Sequence, residues 1–288
     1  MDDGSQSPVK IAVIMTVFNR RSVTDLCLAL LEQQKGSGCT FVIRAYMVDD
    51  GCTDGTAEHV ISKYSKFVKV ITTGGGFYWA RGMALAQTHA VAEMTDLDYI
   101  LWLNDDVQLS PDAILSVLAN ARSSPGSIVV GATEFAGEVT YTGNRQITGR
   151  PTALIPLEPN GSLQLIDGFN GNFVLVPRSA FEALGPIDAG FEHSYGDNDY
   201  GLRARQMRIQ VLLAPKTIGI CARNTVDNTW RDTSLSRVVR TRQLLSRKGI
   251  PFHSHLRYNR RHGGSVKGVV YTLGGYSKML WTIWAGHN

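Results

Sequence analysis

Three short acidic clusters hold the residue types most capable of chemistry: Asp49-Asp50-Gly51, Asn104-Asp105-Asp106 and Gly196-Asp197-Asn198-Asp199. Adjacent carboxylates repel each other and are costly to desolvate, and a hard divalent cation relieves both problems. Mg²⁺ is typically held by one or two carboxylates together with a substrate's phosphates. Asn104-Asp105-Asp106 closes the short apolar run Tyr99 to Leu103 (YILWL), so it is a candidate metal and diphosphate site. The same residues also read as a plain turn, because Ser110-Pro111-Asp112 beyond them has the composition of a helix start. Asp49 and Asp50 could accept hydrogen bonds from a ribose hydroxyl or a base imide, with Gly51 allowing close backbone approach. Thr53 to Thr56 reads as a strand–turn–helix connection. Asp199 could cap the helix carrying Arg203 and Arg205. Asp197, in a loop rich in Gly, Ser and His, has no such duty and is a candidate general base. His193 is a further candidate base or ligand, although a lone histidine is more often structural.

These clusters need rigid elements beneath them. Apolar, β-branched runs predict strands at residues 10–16, 41–48, 68–71, 99–103, 127–132, 173–176 and 211–213. Helical periodicity predicts helices at about 23–34, 56–64, 79–94, 111–121, 178–184 and 202–207. Strands alternating with helices across short loops predict an α/β fold with a mostly parallel sheet covered on both faces. Ligands of such sheets gather at the carboxyl ends of the strands, where the first two clusters fall. Turn residues dominate residues 137–171, and no Pro/Ser linker divides the chain. The expected organisation is a polar, disordered segment at 1–8, a half at 9–132 that holds the first two acidic clusters, a half of the same domain at 133–235 that holds the third, and a basic, aromatic extension at 236–288.

Composition narrows the field. Of 288 residues, 43% are hydrophobic and 19% charged, which suits a globular protein with a substantial core. A net charge of +4 does not indicate nucleic-acid binding. Basic residues nevertheless crowd the stretch from Arg231 to His262, where Asp232 is the only acid, pointing to a phosphate-bearing molecule or an anionic membrane surface. The four cysteines form no C-x-x-C pair and read as free thiols of a reducing compartment. With no signal peptide and no long apolar span, the expected location is cytoplasmic, including the cytoplasmic face of an inner membrane. The first strand is not followed by G-x-G-x-x-G, and the chain has neither a G-x-x-x-x-G-K-[ST] nor a G-x-S-x-G motif. Dinucleotide oxidoreductase, P-loop and α/β-hydrolase chemistry are therefore unsupported.

The order of motifs adds a resemblance. Thr16 to Arg20 (TVFNR), then VDDGCTDGT, GGGFYWARGM, LWLNDDV and GDNDYGLR, resembles the inverting family 2 glycosyltransferases of GT-A fold, over roughly residues 10–235. It is similar to bacterial surface-polysaccharide enzymes, rhamnosyltransferase-like members included. The resemblance implies a Rossmann-like sheet with a smaller mixed acceptor-side part. It implies that Thr16, Phe18, Arg20, Asp49 and Asp50 hold the nucleotide, and that Asp197 is the base. The loop with Gly74, Gly75 and Gly76, together with Arg81, falls where the donor's ribose, diphosphate or sugar is approached. Asn104-Asp105-Asp106 falls on the D-x-D motif, with Asn104 in place of its first acid, so Asp106 is the expected ligand of Mg²⁺ or Mn²⁺, and Asn104 and Asp105 lie near the donor. Gly196 stands where the family's E-D motif has its Glu, which leaves the base function to Asp197 or, as the second choice, Asp199. Trp230 could stack on a sugar and Arg231 hold a phosphate.

The implied partners are a nucleotide-diphosphate sugar (a dTDP- or UDP-sugar, dTDP-rhamnose among them) and a glycan or lipid-linked glycan acceptor. Arg257 to Arg261 and the apolar, aromatic tail at 269–286 suit either peripheral membrane contact or packing in a homo-oligomer. Two rivals share the layout: a sugar nucleotidyltransferase, which needs a glycine- and arginine-rich phosphate loop that Thr16 to Arg20 lacks, and a non-catalytic carbohydrate-binding protein.

Overall fold

A computed structural model describes residues 7–285, so the expected disordered segment at 1–8 lies mostly outside the described residues. Along the chain the elements are β1 (Val9–Val17), α1 (Arg21–Glu32), β2 (Phe41–Asp49), α2 (Thr56–Tyr64), β3 (Val68–Thr72), α3 (Tyr78–Glu93), β4 (Tyr99–Leu103), β5 (Gln108–Leu109), α4 (Ala113–Ser123) and β6 (Ile128–Phe135). The second half adds β7 (Glu138–Tyr141), β8 (Gly143–Ile147), β9 (Arg150–Pro156), β10 (Gln164–Leu165), β11 (Gly168–Phe169), β12 (Phe173–Pro177), α5 (Arg178–Leu184), α6 (Gly196–Gln206) and β13 (Val211–Ile220). Three helices follow: α7 (Arg237–Leu245), α8 (Phe252–Gly263) and α9 (Ser265–Trp284).

The large sheet runs β10-β13-β6-β12-β4-β1-β2-β3, with β5 and β7 at its margins, and β11-β8-β9 form a small second sheet. β4, β1, β2 and β3 are parallel, β12 is antiparallel to both neighbours, and β13 is parallel to β6. Because β12 runs backwards, its start lies at the same sheet edge as the ends of β1, β2, β4, β6 and β13. That edge is where the candidate residues meet.

The unbroken apolar character of β1 and β4 follows from burial on both faces. Ile100 and Trp102 of β4 join Ala12 and Ile14 of β1 in one core, under α3 and α6. Leu101 and Leu103 join Ile11, Val13 and Met15 in the other, under α1, α2 and α4. The period-2 alternation of a strand distributes these residues between the two faces.

Several expected boundaries differ from the structure. α4 begins at Ala113 with Asp112 at its cap, and Ser110-Pro111 form the turn before it, the Ala113 N–H donating to the Ser110 carbonyl. α6 begins at Gly196, six residues before the expected start, because its first turn is polar and gives no apolar periodicity. β13 continues to Ile220, and the extension, expected only as basic and aromatic, is helical. α8 and α9 pack closely because Gly268 leaves no room for a side chain against the backbone of Asn259 and Arg260. No helix among the described residues is long and apolar enough to cross a membrane.

Candidate active site

The loop after β1 carries Arg20 to the end of β4. Its guanidinium bonds Asp105 Oδ1 at 2.5 Å and Asp106 Oδ2 at 2.9 Å. Asp105 is only 1% exposed and also accepts from Thr24 Oγ1 at 3.1 Å. Burial, offset by Arg20 and reinforced by Asp106, pushes its carboxyl up to about 6. Asp105, expected beside the donor, is thus turned into the protein. Asp106 is the more open of the two, its Oδ1 lying 3.6 Å from Cys221 Sγ at the end of β13. Burial, then the charge of Asp106, pushes that thiol up to about 12.

Among the described residues there is no group of three or more His, Cys, Asp or Glu side chains able to cage a metal. One accessible carboxylate with hard oxygen donors nevertheless fits Mg²⁺ or Mn²⁺, provided substrate phosphates and water complete the shell. Asn104, by contrast, is committed elsewhere: its Oδ1 accepts from Trp79 Nε1 at 2.8 Å.

The turn after β2 packs on the glycine loop after β3. A Cβ on Gly51 (φ 80°) would come within 3.0 Å of Gly75 Cα, so the first turn needs glycine there, and Gly75 needs it for its own φ of 88°. Asp49 is buried and accepts the Cys52 N–H at 2.7 Å. Asp50 receives the N–H groups of Phe77 (2.9 Å) and Tyr78 (2.8 Å) and the hydroxyl of Thr73 (3.0 Å). Its carboxylate therefore caps α3, an anion at the positive end of a helix. Thr16 Oγ1 is buried with no hydrogen-bond partner, and Phe18 is exposed with Lys248 Nζ 5.7 Å from its ring centre. Gly76 lies near Arg247. Arg81 does not join this group: it donates to the Ala189 carbonyl at 3.1 Å, pairs with Glu192 at 3.4 Å and lines a separate cavity with Pro186 to Ala189.

Asp197 lies in the first turn of α6. Its Oδ1 accepts the Asn198 N–H at 2.8 Å and its Oδ2 the Gly171 N–H at 3.2 Å. Burial, with repulsion from Asp199, outweighs these bonds and pushes the carboxyl up to about 6. The ring of Trp79 fills the space over Gly171 and borders Gly196, so this one side chain spans from Asn104 to the neighbourhood of Asp197. Trp79 was not singled out from sequence. Its position at the first turn of α3, facing a predicted strand end, was the available signal.

Asp199 does not cap a later helix. It is fully buried and binds Arg203 (2.9 Å), Arg261 (2.7 Å) and His262 (2.9 Å), and those partners hold its pKa below the ordinary value despite burial. Tyr195, just before Asp197, has φ 78° and is held by α8: its Oη lies 2.8 Å from His255 Nδ1 and its ring stacks on Tyr258. The extension thus grips both sides of the Asp197 turn. Tyr195 and Asn198, flanking Asp197, line a cavity of about 760 Å³ with His193, Trp230, Arg231, Gln243, Ser246 and Lys248. Although His193 is exposed on that cavity, desolvation by the surrounding protein, then the charges of Lys248 and Arg20, holds it below its ordinary pKa. Arg231 stacks over Trp230 at 4.7 Å.

A family model described as glycosyl transferase family 2 matches residues 12–185. No curated protein matches the sequence. Among solved structures the chain is similar to GalNAc-T7 with UDP, GalNAc and Mn²⁺, at 12% identity and TM-score 0.56, over 91% of this chain and 55% of that one. It is similar to TarS of S. aureus at 13% identity and TM-score 0.54, over 89% of this chain and 44% of that one. It is also similar to the mannosyltransferase PcManGT of Pyrobaculum calidifontis, in complex with GDP-Man and Mn²⁺, at 15% identity and TM-score 0.54, over 98% and 75%. The chain thus spans about half the length of the first two, and these likenesses carry the fold.

Proposed function

The chain belongs to glycosyl transferase family 2, and from that premise we propose that it transfers a sugar from a nucleotide-sugar donor, as a metal-dependent, inverting enzyme that glycosylates a hydroxyl of a bacterial polysaccharide or lipid-linked glycan. A dTDP- or UDP-sugar, dTDP-rhamnose among them, is the proposed donor. The observation that carries this reading is Asp197: a carboxylate pushed up to about 6, flanked by cavity-lining residues and joined through Trp79 to the strand end that bears Asp106.

In this reading Asp197 takes the proton from the acceptor hydroxyl, an effect worth about 10²–10⁴-fold. The oxygen attacks the anomeric carbon opposite the departing nucleoside diphosphate, so the configuration inverts and no covalent enzyme intermediate forms. Thr16, Phe18 and Asp49 border the nucleotide, and Trp230 and Arg231 face the incoming sugar or a phosphate. Arg20 neutralises Asp105 and Asp106 beforehand, which keeps two adjacent carboxylates compatible with a diphosphate. A divalent cation on Asp106 would add positive charge for the leaving group.

The test is a panel of nucleotide sugars with Mg²⁺ or Mn²⁺, read by thermal stabilisation and by release of nucleoside diphosphate. At least one donor should raise Tm and be consumed, and the product's anomeric configuration should be opposite to the donor's. No stabilising or consumed donor sinks the reading; a retained configuration sinks its mechanism.

A further inference from the structure

α9 is apolar on two faces. Its inner face, with Gly268, Thr272, Tyr276 and Ile283, packs on α7 and α8. Its outer face carries Val266 (79% exposed), Val270 (63%), Leu273 (55%) and Trp281 (66%), at steps of four, three and eight residues that keep them on one stripe. A helix of 20 residues is about 30 Å long, so the stripe is long as well as apolar. Val238 and Leu245 of α7 extend it, meeting Trp284 in a shallow cleft of about 590 Å³ that Arg242 also lines. An exposed apolar surface of this extent marks a contact surface.

Charge selects what it contacts. From Thr233 to Asn288 the sequence holds ten lysines and arginines and no aspartate or glutamate. Lys267 and Lys278 flank the stripe on α9, exposed and unpaired with any acid among the described residues, and Arg242 is exposed at its edge. A second copy of the chain would bring an equal uncompensated positive charge to the contact. An anionic lipid leaflet offers the opposite charge and an apolar interior, and tryptophans at one end of the stripe suit the headgroup boundary.

We propose that the outer face of α9, with the Val238–Leu245 edge of α7, lies in the plane of an anionic membrane surface. The placement gives the site above a direction. The apolar cleft and the larger cavity beside Asp197 share Ser246, so an acceptor whose lipid end stays in the leaflet would present its glycan end to that cavity. This last step rests on the proposed function; the membrane contact does not.

The experiment is co-sedimentation of the full chain with vesicles of phosphatidylcholine alone or with 30% phosphatidylglycerol, at low and high salt. Binding should be about tenfold or more stronger to the anionic vesicles and should fall steeply with salt, as surface charge is screened. Leu273→Ser combined with Trp281→Ser should weaken it by a similar factor, with circular dichroism, Tm and donor-induced stabilisation unchanged. Absence of vesicle binding, or binding indifferent to the substitutions, overturns the proposal. So does a concentration-dependent dimer that the double substitution returns to monomer, which would assign the face to a second copy. No sugar transfer enters the measurement, so its failure is distinct from that of the proposed activity.

Discussion

Asp197→Asn tests the base through two independent readouts. The substitution keeps the shape and removes the charge. In the native protein the carboxyl moves from an ordinary 3.8 to about 6, chiefly through burial, which corresponds to a penalty of about 3 kcal/mol on the ionised form. A raised carboxyl contributes stability that is fully present below pH 3.8 and lost as pH rises through about 6. The amide never titrates. Wild type should therefore gain about 2 kcal/mol relative to the variant on going from pH 7.5 to 4.5. At pH 7.5 the variant escapes the penalty but forfeits an acceptor for the Gly171 N–H, a loss of about 1 kcal/mol, so it should be the more stable protein by about 1–2 kcal/mol. Transfer should fall about 10²–10⁴-fold, and wild-type kcat/KM should itself drop below pH 6 as Asp197 protonates. Urea unfolding at the two pH values and initial rates of nucleoside diphosphate release measure both. A stability difference that stays constant with pH, or a rate within a few-fold of wild type, would refute the reasoning.

Arg20→Met leaves the buried Asp105 without its cation and should cost about 2 kcal/mol, an allowance made for the partly exposed guanidinium; Mn²⁺ should restore part of the lost Tm if Asp106 can take a cation. Asp106→Ala should abolish the Mn²⁺-dependent Tm rise given by donor while leaving the fold intact, as checked by circular dichroism. Gly171→Ala drives a methyl into the Trp79 ring, and should lower stability by about 1–3 kcal/mol in urea unfolding and kcat more than donor affinity. Asp199→Asn strips Arg203, Arg261 and His262 of their shared carboxylate and should cost about 3 kcal/mol; because the native pKa is depressed, that stabilisation is present above the usual carboxylate range and lost as pH falls below it, and limited proteolysis should then cut before α8.

What the sequence discloses depends on where each signal is written. β1, β2 and β4 are legible because burial on both faces demands unbroken apolar runs, and the acids closing them stand out against that background. The start of α6 is illegible for the opposite reason: Gly196 to Asp199 are polar, so the helix shows no apolar period where Asp197 sits. Asp50 and Asp199 show a second limit. A carboxylate that caps α3 and one that anchors α8 look, in sequence, like ligand-binding acids, and their partners lie 27 and 62 residues away. The role of Trp79 is hidden likewise, since nothing local ties it to Asn104.

The ionic anchoring of Asp199 also sets an order of events during synthesis. The turn bearing Asp197 leaves the ribosome well before Arg261 and His262, which neutralise its buried neighbour, and before His255 and Tyr258, which hold Tyr195. Until those residues emerge, Asp199 keeps Arg203 alone as a partner and the turn is unclamped. A nascent chain released at residue 250 would already own every acid of the candidate site yet lack the groups that fix the Asp197 turn. In the proposed mechanism catalytic competence would therefore arrive with the helices that also carry the exposed apolar stripe, so that the chain would become able to act only as it became able to settle on the proposed surface.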